Sequence, residues 1–448
     1  MLTRIKLKNF RAFREEIDVR IRPITILIGR NSAGKSTLIK FLLMLQQTLE
    51  SSEAGFFVTE GRHTTLGTFQ DLKNSMSRGK SFQFTLEIET NDLPEPAIQQ
   101  IREELQQSKP IENLEGTSVD LNVNLRTSST ISTQDSLEQE TSVRVSAEIP
   151  ARALLAQFSI VGSIPYSKSP RGKHSVTCNI GGNKIFKKQE NNIRRTRFLT
   201  FPLPNSPVDI LKSAFDNLYL DGIRREIISM RHLSPIREES QRSVILGSPP
   251  PDDVGHRGEY AMPHLQRLLS EERGQRAEFV LQQMESVVDI EEVRFEARVK
   301  GFIPEFCAKN KLTGAEAYLA DFGFGVSQCI PIFVQGALLN RGQLLIVEQP
   351  EAQIHPTAQL AMGSFFADLW NQRRVPSLIE THSANLMLRL RRLVAHQQLN
   401  PDHVSVAYFH TEDQVVNVKN LDIKPDGSLE KGLPMEFFGA DLIEALEL

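Results

Sequence analysis

The rhythm of apolar and polar positions changes along this 448-residue chain, and each change marks a different kind of element. LTRIKLKNF alternates apolar and polar side chains, the period of a half-buried strand, and EEIDVRI follows in the same style. ITILIG then runs apolar without interruption, which suits a strand buried on both faces. A glycine-rich turn and the helical pattern STLIKFLLMLQQTLE come next, giving strand, loop and helix in the order that opens a nucleotide-binding fold. From about 76 to 205, short alternating segments (FQFTLEIET, SVDLNVNLR, TSVRVSAEI, HSVTCNI, NKIFKK) are separated by polar stretches, so an antiparallel β-rich insertion is expected. Within it, TSSTISTQDSLEQETS has so little to bury that disorder is the expectation. Helical periodicity dominates residues 206–300, in PVDILKSAFDNLYLDGIRREIISM and HLQRLLSEERGQRAEFVLQQM. Strands and helices then alternate through QLLIVEQ, TAQLAMGSFFADLWNQ, VPSLIETH, SANLMLRLRRLVA and HVSVAYFH. The economical reading is one α/β core with an N-terminal lobe over 1–75, an insertion over 76–205, a helical segment over 206–300 and a C-terminal lobe over 301–448.

Composition narrows the class. Hydrophobic residues make up 40% and charged residues 24%, ordinary values for a soluble globular protein. No apolar run approaches the roughly 18 to 20 residues of a membrane span, and MLTRIKLKNFRAF reads as neither a signal nor a transit peptide. Cys178, Cys307 and Cys329 are far apart, which argues against a disulfide framework or a zinc site and fits a reducing cytoplasm. The formal net charge is only −3, but residues 91–150 hold 11 acidic and 4 basic side chains and residues 151–200 hold 10 basic and 1 acidic. Such asymmetry fits either an interaction surface or two segments that fold together and neutralise.

Candidate chemistry lies in four places. Gly29-Arg30-Asn31-Ser32-Ala33-Gly34-Lys35-Ser36 is a complete G-x-x-x-x-G-K-[ST] between a buried-strand pattern and a helix. Its glycines permit a tight turn that aims the N–H groups of Asn31, Ser32 and Ala33 at phosphate oxygens, and the helix N-terminus adds its dipole. Lys35 is then the cation for the β- and γ-phosphates of ATP, and the Ser36 hydroxyl the Mg²⁺ ligand, with Thr37 beside it. Leu344-Leu345-Ile346-Val347-Glu348-Gln349-Pro350-Glu351 is an apolar strand ending in carboxylates, a Walker B element in which Glu348 holds the metal-organising place. Pro350 and His355-Pro356 make its continuation a rigid turn. Asp321-Phe322-Gly323-Phe324-Gly325-Val326-Ser327-Gln328 sets small residues and a serine before the apolar helix CIPIFVQGALL. Glu380-Thr381-His382-Ser383 ends the strand VPSLI with a histidine.

In this order the four motifs resemble those of ABC/SMC-type ATPases, and within them the RecF-like and overcoming-lysogenization-defect-like branch. IKLKNFRAF looks like that branch's first strand, VEQPEAQIHPTAQ and ETHSANLMLRL like its Walker B and switch segments, and the tail resembles stand-alone members with a final strand pair and a Gly-Pro-Phe-Phe turn. The likeness covers roughly 1–75 and 220–448. It implies an ABC-type P-loop ATPase head that closes as a homodimer with ATP between two copies. Gly325, Ser327 and Gln328 would then form a signature loop that caps the γ-phosphate held by the other copy, and His382 would be the switch histidine. Gln70, in LGTFQDL, would be a Q-loop residue that senses Mg²⁺. The position that usually carries the catalytic glutamate in such enzymes is here Gln349, whose amide cannot accept a proton from water. Either Glu351 takes the base role, or hydrolysis is slow and the ATP-bound state long-lived; general-base catalysis is worth roughly 10²–10⁴ in rate.

Many relatives of this kind (Septu-type, retron-associated) act in anti-phage defence beside a separately encoded nuclease or toxin, and the resemblance implies that role here. Only 66 residues follow His382, with no Asp-x-Asp pair, so no Toprim nuclease domain is expected, and no sustained heptad repeat marks an SMC arm. The alternative is a RecF-like DNA-repair clamp, in which the basic segment 168–197 and Arg389, Arg391 and Arg392 contact phosphates with steep salt dependence. A metabolic P-loop kinase is disfavoured by the motif order.

Overall fold

The alternating start forms an antiparallel pair, β1 (Leu2–Lys8) with β2 (Ile17–Arg20). One face buries Ile5, Leu7, Ile17 and Val19, and the other carries Arg4 and Lys6 against Asp18. β3 (Ile24–Gly29) is buried at every position and leads through the glycine turn into α1 (Lys35–Glu50). The computed structural model describes residues 1–51, 57–77, 81–90, 120–132, 136–149, 152–165, 171–180, 183–194, 224–243, 250–270, 274–299 and 303–430; between 120 and 194 only the backbone is described.

β4 (Ser81–Thr90) pairs antiparallel with β1. β5 (Asp120–Ser132), β6 (Ser136–Ile149), β7 (Arg152–Pro165), β8 (Arg171–Ile180) and β9 (Asn183–Arg194) then extend the same sheet, in the order β2-β1-β4-β5-β6-β7-β8-β9. Of the polar stretch expected to be disordered, residues 127–132 instead lie in β5 and residues 136–142 in β6, paired from Asp120↔Glu148 to Ser132↔Ser136; residues 133–135 lie outside the described residues. Strand pairing uses main-chain groups, which a Ser- and Thr-rich segment supplies as well as an apolar one. Beneath the first strands of this sheet, Phe10, Phe41, Phe57, Phe82 and Phe84 form a chain of aromatic contacts, with Phe10 edge-on to Phe41 at 5.3 Å.

After the short α2 (Arg224–Ile228) and β10 (Arg231–Leu233), the helical pattern resolves into α3 (Ala261–Ser270) and α4 (Gln275–Val288). The stretch PVDILKSAFDNLYLDGI, also expected to be helical, lies outside the described residues. β11 (Ile290–Val299), β12 (Ile303–Asn310) and β13 (Glu316–Tyr318) form a separate antiparallel sheet, so the change of character expected at residue 300 falls inside a hairpin.

α5 (Phe324–Leu338), β14 (Leu345–Glu348), α6 (Pro356–Arg373), β15 (Ser377–Glu380), α7 (Ala384–Ala395), β16 (Val404–Glu412) and β17 (Val415–Leu421) follow. They build a six-stranded sheet in the order β10-β14-β15-β3-β16-β17. β10, β14, β15, β3 and β16 run parallel, and their apolar runs bury Ile24, Ile26, Leu345, Val347, Ile379 and Val406. The fold is therefore α/β, and two strand ends besides the β3 tip, those of β14 and β15, carry the sequence motifs. The chain divides into two compact units: residues 1–20, 36–228 and 411–418 form one, and residues 21–35, 229–410 and 419–448 the other. Among the described residues, no helix is long and apolar enough to cross a membrane.

Within the second unit, Trp370, the only tryptophan of the chain, donates its indole N–H to His403 Nδ1 at 2.9 Å. Burial holds the His403 imidazole below its ordinary pKa, with Arg374 adding to the shift. The neutral ring is thus favoured in the fold. Its stabilising contribution is full above about pH 6.5, the unfolded value, and is lost as pH falls through the lower folded value. Titration from pH 7.5 to 5 should change Trp370 fluorescence and lower the melting temperature in step. An emission that stays flat over that range would refute the pairing.

Candidate functional site

The phosphate loop is built from positions that only particular residues fill. Gly29 ends β3 with φ of 145°, and a Cβ there would collide with the main-chain oxygen of Phe409 on β16. Gly34 has φ of 97° and Ser32 sits in the left-handed region at 62°. Arg30, Asn31 and Ser32 are exposed, Ala33 and Gly34 buried. Ser36 and Thr37, half-buried, follow in the first turn of α1, where main-chain N–H groups have no acceptor within the helix. The Lys35 ammonium is buried and donates to the carbonyls of Gly29 at 3.0 Å and Arg30 at 2.9 Å, with Glu380 Oε1 4.0 Å away. Burial holds its pKa below the usual lysine value, offset in part by Glu380 and Glu351.

β15 lies between the P-loop strand and β14, in register Glu348↔Glu380 with β14 and Glu380↔Leu27 with β3. The carboxyl ends of these parallel strands thus converge where ligands bind in open α/β sheets. Glu348, half-buried, meets His232 Nε2 at 2.7 Å. Gln349 turns the chain with φ of 46°, and its N–H donates to the Glu380 carbonyl at 2.7 Å. Glu351 accepts the His382 N–H through Oε1 at 2.7 Å, whereas its Oε2 is buried without a hydrogen-bond partner. Burial pushes the Glu351 carboxyl above the usual carboxylate range, against the opposing pull of the His382 N–H, its own main-chain N–H, the Thr381 side chain and the charge of Arg237. The His382 ring is exposed on the surface of this unit, and partial burial and the charge of Lys35 both lower its pKa. Ser383 caps α7 by accepting from Leu386 N–H at 3.1 Å, which fixes where the histidine stands.

The structure thus brings the P-loop, Glu348, Gln349, Glu351 and His382 to one sheet edge. It adds Glu380 as a buried acid beside Lys35, a role that the sequence did not single out. The candidate signature segment differs from expectation. Gly323 precedes α5 at φ of 95° and is exposed, as is Phe324. Ser327 and Gln328, read as part of a loop offered to a second copy, are buried at 3% and 1% exposure. α5 is buried on nearly every side, and Gly325 packs so closely on Gln353 that a Cβ would sit 2.6 Å from its carbonyl oxygen. The surface at this helix start is therefore Gly323 and Phe324. Gln328 instead turns to Arg237, a buried residue that the sequence did not single out.

Gln70 is exposed in a short 3₁₀ turn, Phe69–Leu72, of the first unit. Of the three arginines considered for DNA, Arg389 binds Ser364 Oγ at 2.7 Å and Arg391 the Gly427 carbonyl at 2.7 Å, while Arg392 is exposed. The side chains of 168–197 and the Gly-Pro-Phe-Phe turn lie outside the described residues. Cys329 is a buried free thiol, and burial raises it to about 12.

These residues fit a nucleotide: the P-loop cannot tolerate a side chain at Gly29, and burial disfavours the charged forms of Lys35 and Glu351, a cost that phosphates and a cation would offset. They also fit a divalent cation of the kind that keeps few protein ligands. No group of three or more His, Cys, Asp or Glu among the described residues could hold a metal alone. One or two carboxylates with substrate phosphates is the usual Mg²⁺ arrangement, and Glu348, at the end of β14, is the carboxylate at hand in this unit.

A family model described as an AAA ATPase domain matches residues 1–200 and 259–387. Similar solved structures include the SMC head domain from Thermotoga maritima, 9% identical, covering 93% of this chain and 98% of that one with a TM-score of 0.39. An Smc head domain with an extended coiled coil, bound to the C-terminal domain of ScpA derived from Pyrococcus furiosus, is 10% identical over 100% and 99% with a TM-score of 0.42. No curated protein matches.

Proposed function

This chain belongs to the AAA ATPase domain family, and from that premise we propose that it is an ATP-gated dimeric switch with slow turnover, controlling a separate effector protein. The observation that carries the reading is the pairing of Gln349 with Glu351. The strand-tip position next to Glu348 holds an amide, and the remaining carboxylate, Glu351, is tied through one oxygen to the His382 N–H. Such a site binds ATP well and cleaves it slowly, which suits a state that must persist.

In this mechanism the loop N–H groups and Lys35 bind the triphosphate, exchanging the Gly29 and Arg30 carbonyls for phosphate oxygens. Glu348 would hold Mg²⁺, which supplies charge neutralisation at the phosphates. Glu351, with its raised pKa, accepts the proton of the attacking water, and His382 contacts the transferred phosphoryl group. The exposed start of α5 faces a second copy. The effector is a nuclease or toxin in anti-phage defence, the role suggested by the sequence resemblance. A RecF-like clamp is the second reading, and the internal hydrogen bonds of Arg389 and Arg391 weigh against it.

Steady-state turnover together with mass photometry, with and without ATP and Mg²⁺, tests the proposal. Slow hydrolysis with an ATP-stabilised dimer is expected; brisk, DNA-stimulated hydrolysis would select the clamp instead. Phe324→Arg should prevent the dimer while leaving ATP affinity and melting temperature near wild type. A dimer that survives it would place closure elsewhere. Ser327→Arg is unsuitable for this purpose, because it forces a charge into a buried helix face. Gln349→Glu should raise turnover about tenfold or more by restoring a proton acceptor, read in a single-turnover assay.

A further inference from the structure

Arg237 is the largest fully buried side chain among the described residues. An arginine out of water normally has its donors matched. Here Nη2 donates to the Glu348 main-chain oxygen at 2.6 Å, while Nε and Nη1 have no hydrogen-bond partner. Burial lowers its pKa to about 10. Its main chain is held from both sides by one amide: Gln328 Oε1 accepts the Arg237 N–H at 3.0 Å, and Gln328 Nε2 donates to the Arg237 carbonyl at 3.0 Å. Arg237 therefore joins the first turns of α5 to the end of β14. Replacing such a group by an apolar side chain is often neutral or stabilising, so packing alone is a poor account of it.

The same acid is held at its other end. His232, on β10, meets the Glu348 carboxylate through Nε2 at 2.7 Å and His256 through Nδ1 at 2.8 Å. With Nε2–H donating to the carboxylate, His232 Nδ1 accepts from His256 Nδ1–H, and the two rings lie 4.4 Å apart. Parallel pairing of β10 with β14, His232↔Ile346, sets this reach. Glu348 is thus fixed by main chain from Arg237 and by side chain from His232, with His256 behind it, residues that belong to none of the four motifs.

We propose that Arg237, His232 and Gln328 are positioning residues: they aim the Glu348 carboxylate and tie it to the start of α5, so that capping of the nucleotide there is felt at the metal-organising acid. The proposal rests on the reading of Glu348 as that acid. Partners of this kind around a metal ligand are typically worth roughly 10- to 100-fold in affinity or activity.

The test uses the full chain and measures nucleotide binding by calorimetry over a range of Mg²⁺ concentrations, besides turnover. His232→Ala should raise the Mg²⁺ concentration at half-effect about tenfold, with Mg²⁺-free ATP affinity unchanged. His232→Gln, which keeps a donor near the Nε2 position, should recover most of the loss. Arg237→Lys keeps the charge but not the reach of the fork; it should lower turnover at saturating ATP about tenfold without altering the KM for ATP. The proposal is overturned if the Ala and Gln variants both show the wild-type Mg²⁺ response. It is likewise overturned if Arg237→Lys loses only folded protein while the remaining molecules turn over normally. If Arg237→Lys does not fold, the two His232 variants still decide. Absence of Mg²⁺-dependent nucleotide binding in the wild type would instead remove the reading of Glu348, a different failure from wild-type binding with indifferent variants.

Discussion

Lys35→Ala should weaken ATP binding by about 100-fold or more while leaving most of the fold intact. The ammonium is the buried cation of the loop, and a charge-assisted hydrogen bond contributes about 1.5–3 kcal/mol; losing two at the phosphates corresponds to about two or more decades of affinity. Stability responds less, because two effects oppose. Removing Lys35 ends the cost of burying its charge, visible as its lowered pKa, but leaves Glu380 buried without its neighbour 4.0 Å away. Calorimetry of ATP binding, paired with a thermal melt, separates the two. Lost binding with a melting temperature within a few degrees of wild type supports the P-loop assignment. Unchanged affinity would remove it, and with it the switch.

How much of this was legible depends on how local each feature is. The P-loop is eight contiguous residues whose glycines and lysine act where they stand, so Gly29, Gly34 and Lys35 could be read with their geometry. Glu348 and His382 were legible as strand-end residues because apolar runs point to strand tips. Glu380 was not, since its approach to Lys35 arises only when β15 inserts next to β3, some 350 positions away along the chain. Arg237 and His232 were hidden for the same reason: β10 is three residues long, and its pairing with β14 spans more than a hundred positions. The burial of Ser327 was not legible, because α5 is buried on nearly every side and periodicity gives no exposed face to set its phase. The β-rich insertion showed its alternation, but not that its strands continue the sheet begun by β1.

Glu351→Gln should remove residual hydrolysis, by roughly 10²–10⁴, while ATP affinity stays near wild type. The amide keeps an oxygen for the His382 N–H, so the turn is preserved, but nothing remains at Oε2 to take a proton. The pH profile provides an independent check. Burial raises the Glu351 pKa, so more of the group is protonated at a given acidic pH than for an ordinary carboxyl. The acid limb of wild-type turnover should therefore lie above the usual carboxylate value of about 4.3, with activity falling as pH drops through it. The His382 pKa is displaced the other way, lowered by burial and by the charge of Lys35; His382→Asn should leave the acid limb in place if Glu351 sets it. Whatever turnover survives the roughly 10²–10⁴ loss in Glu351→Gln should show no such limb. Turnover unaffected by Glu351→Gln would exclude it as the base and leave slow, uncatalysed attack beside Gln349 as the chemistry of the switch.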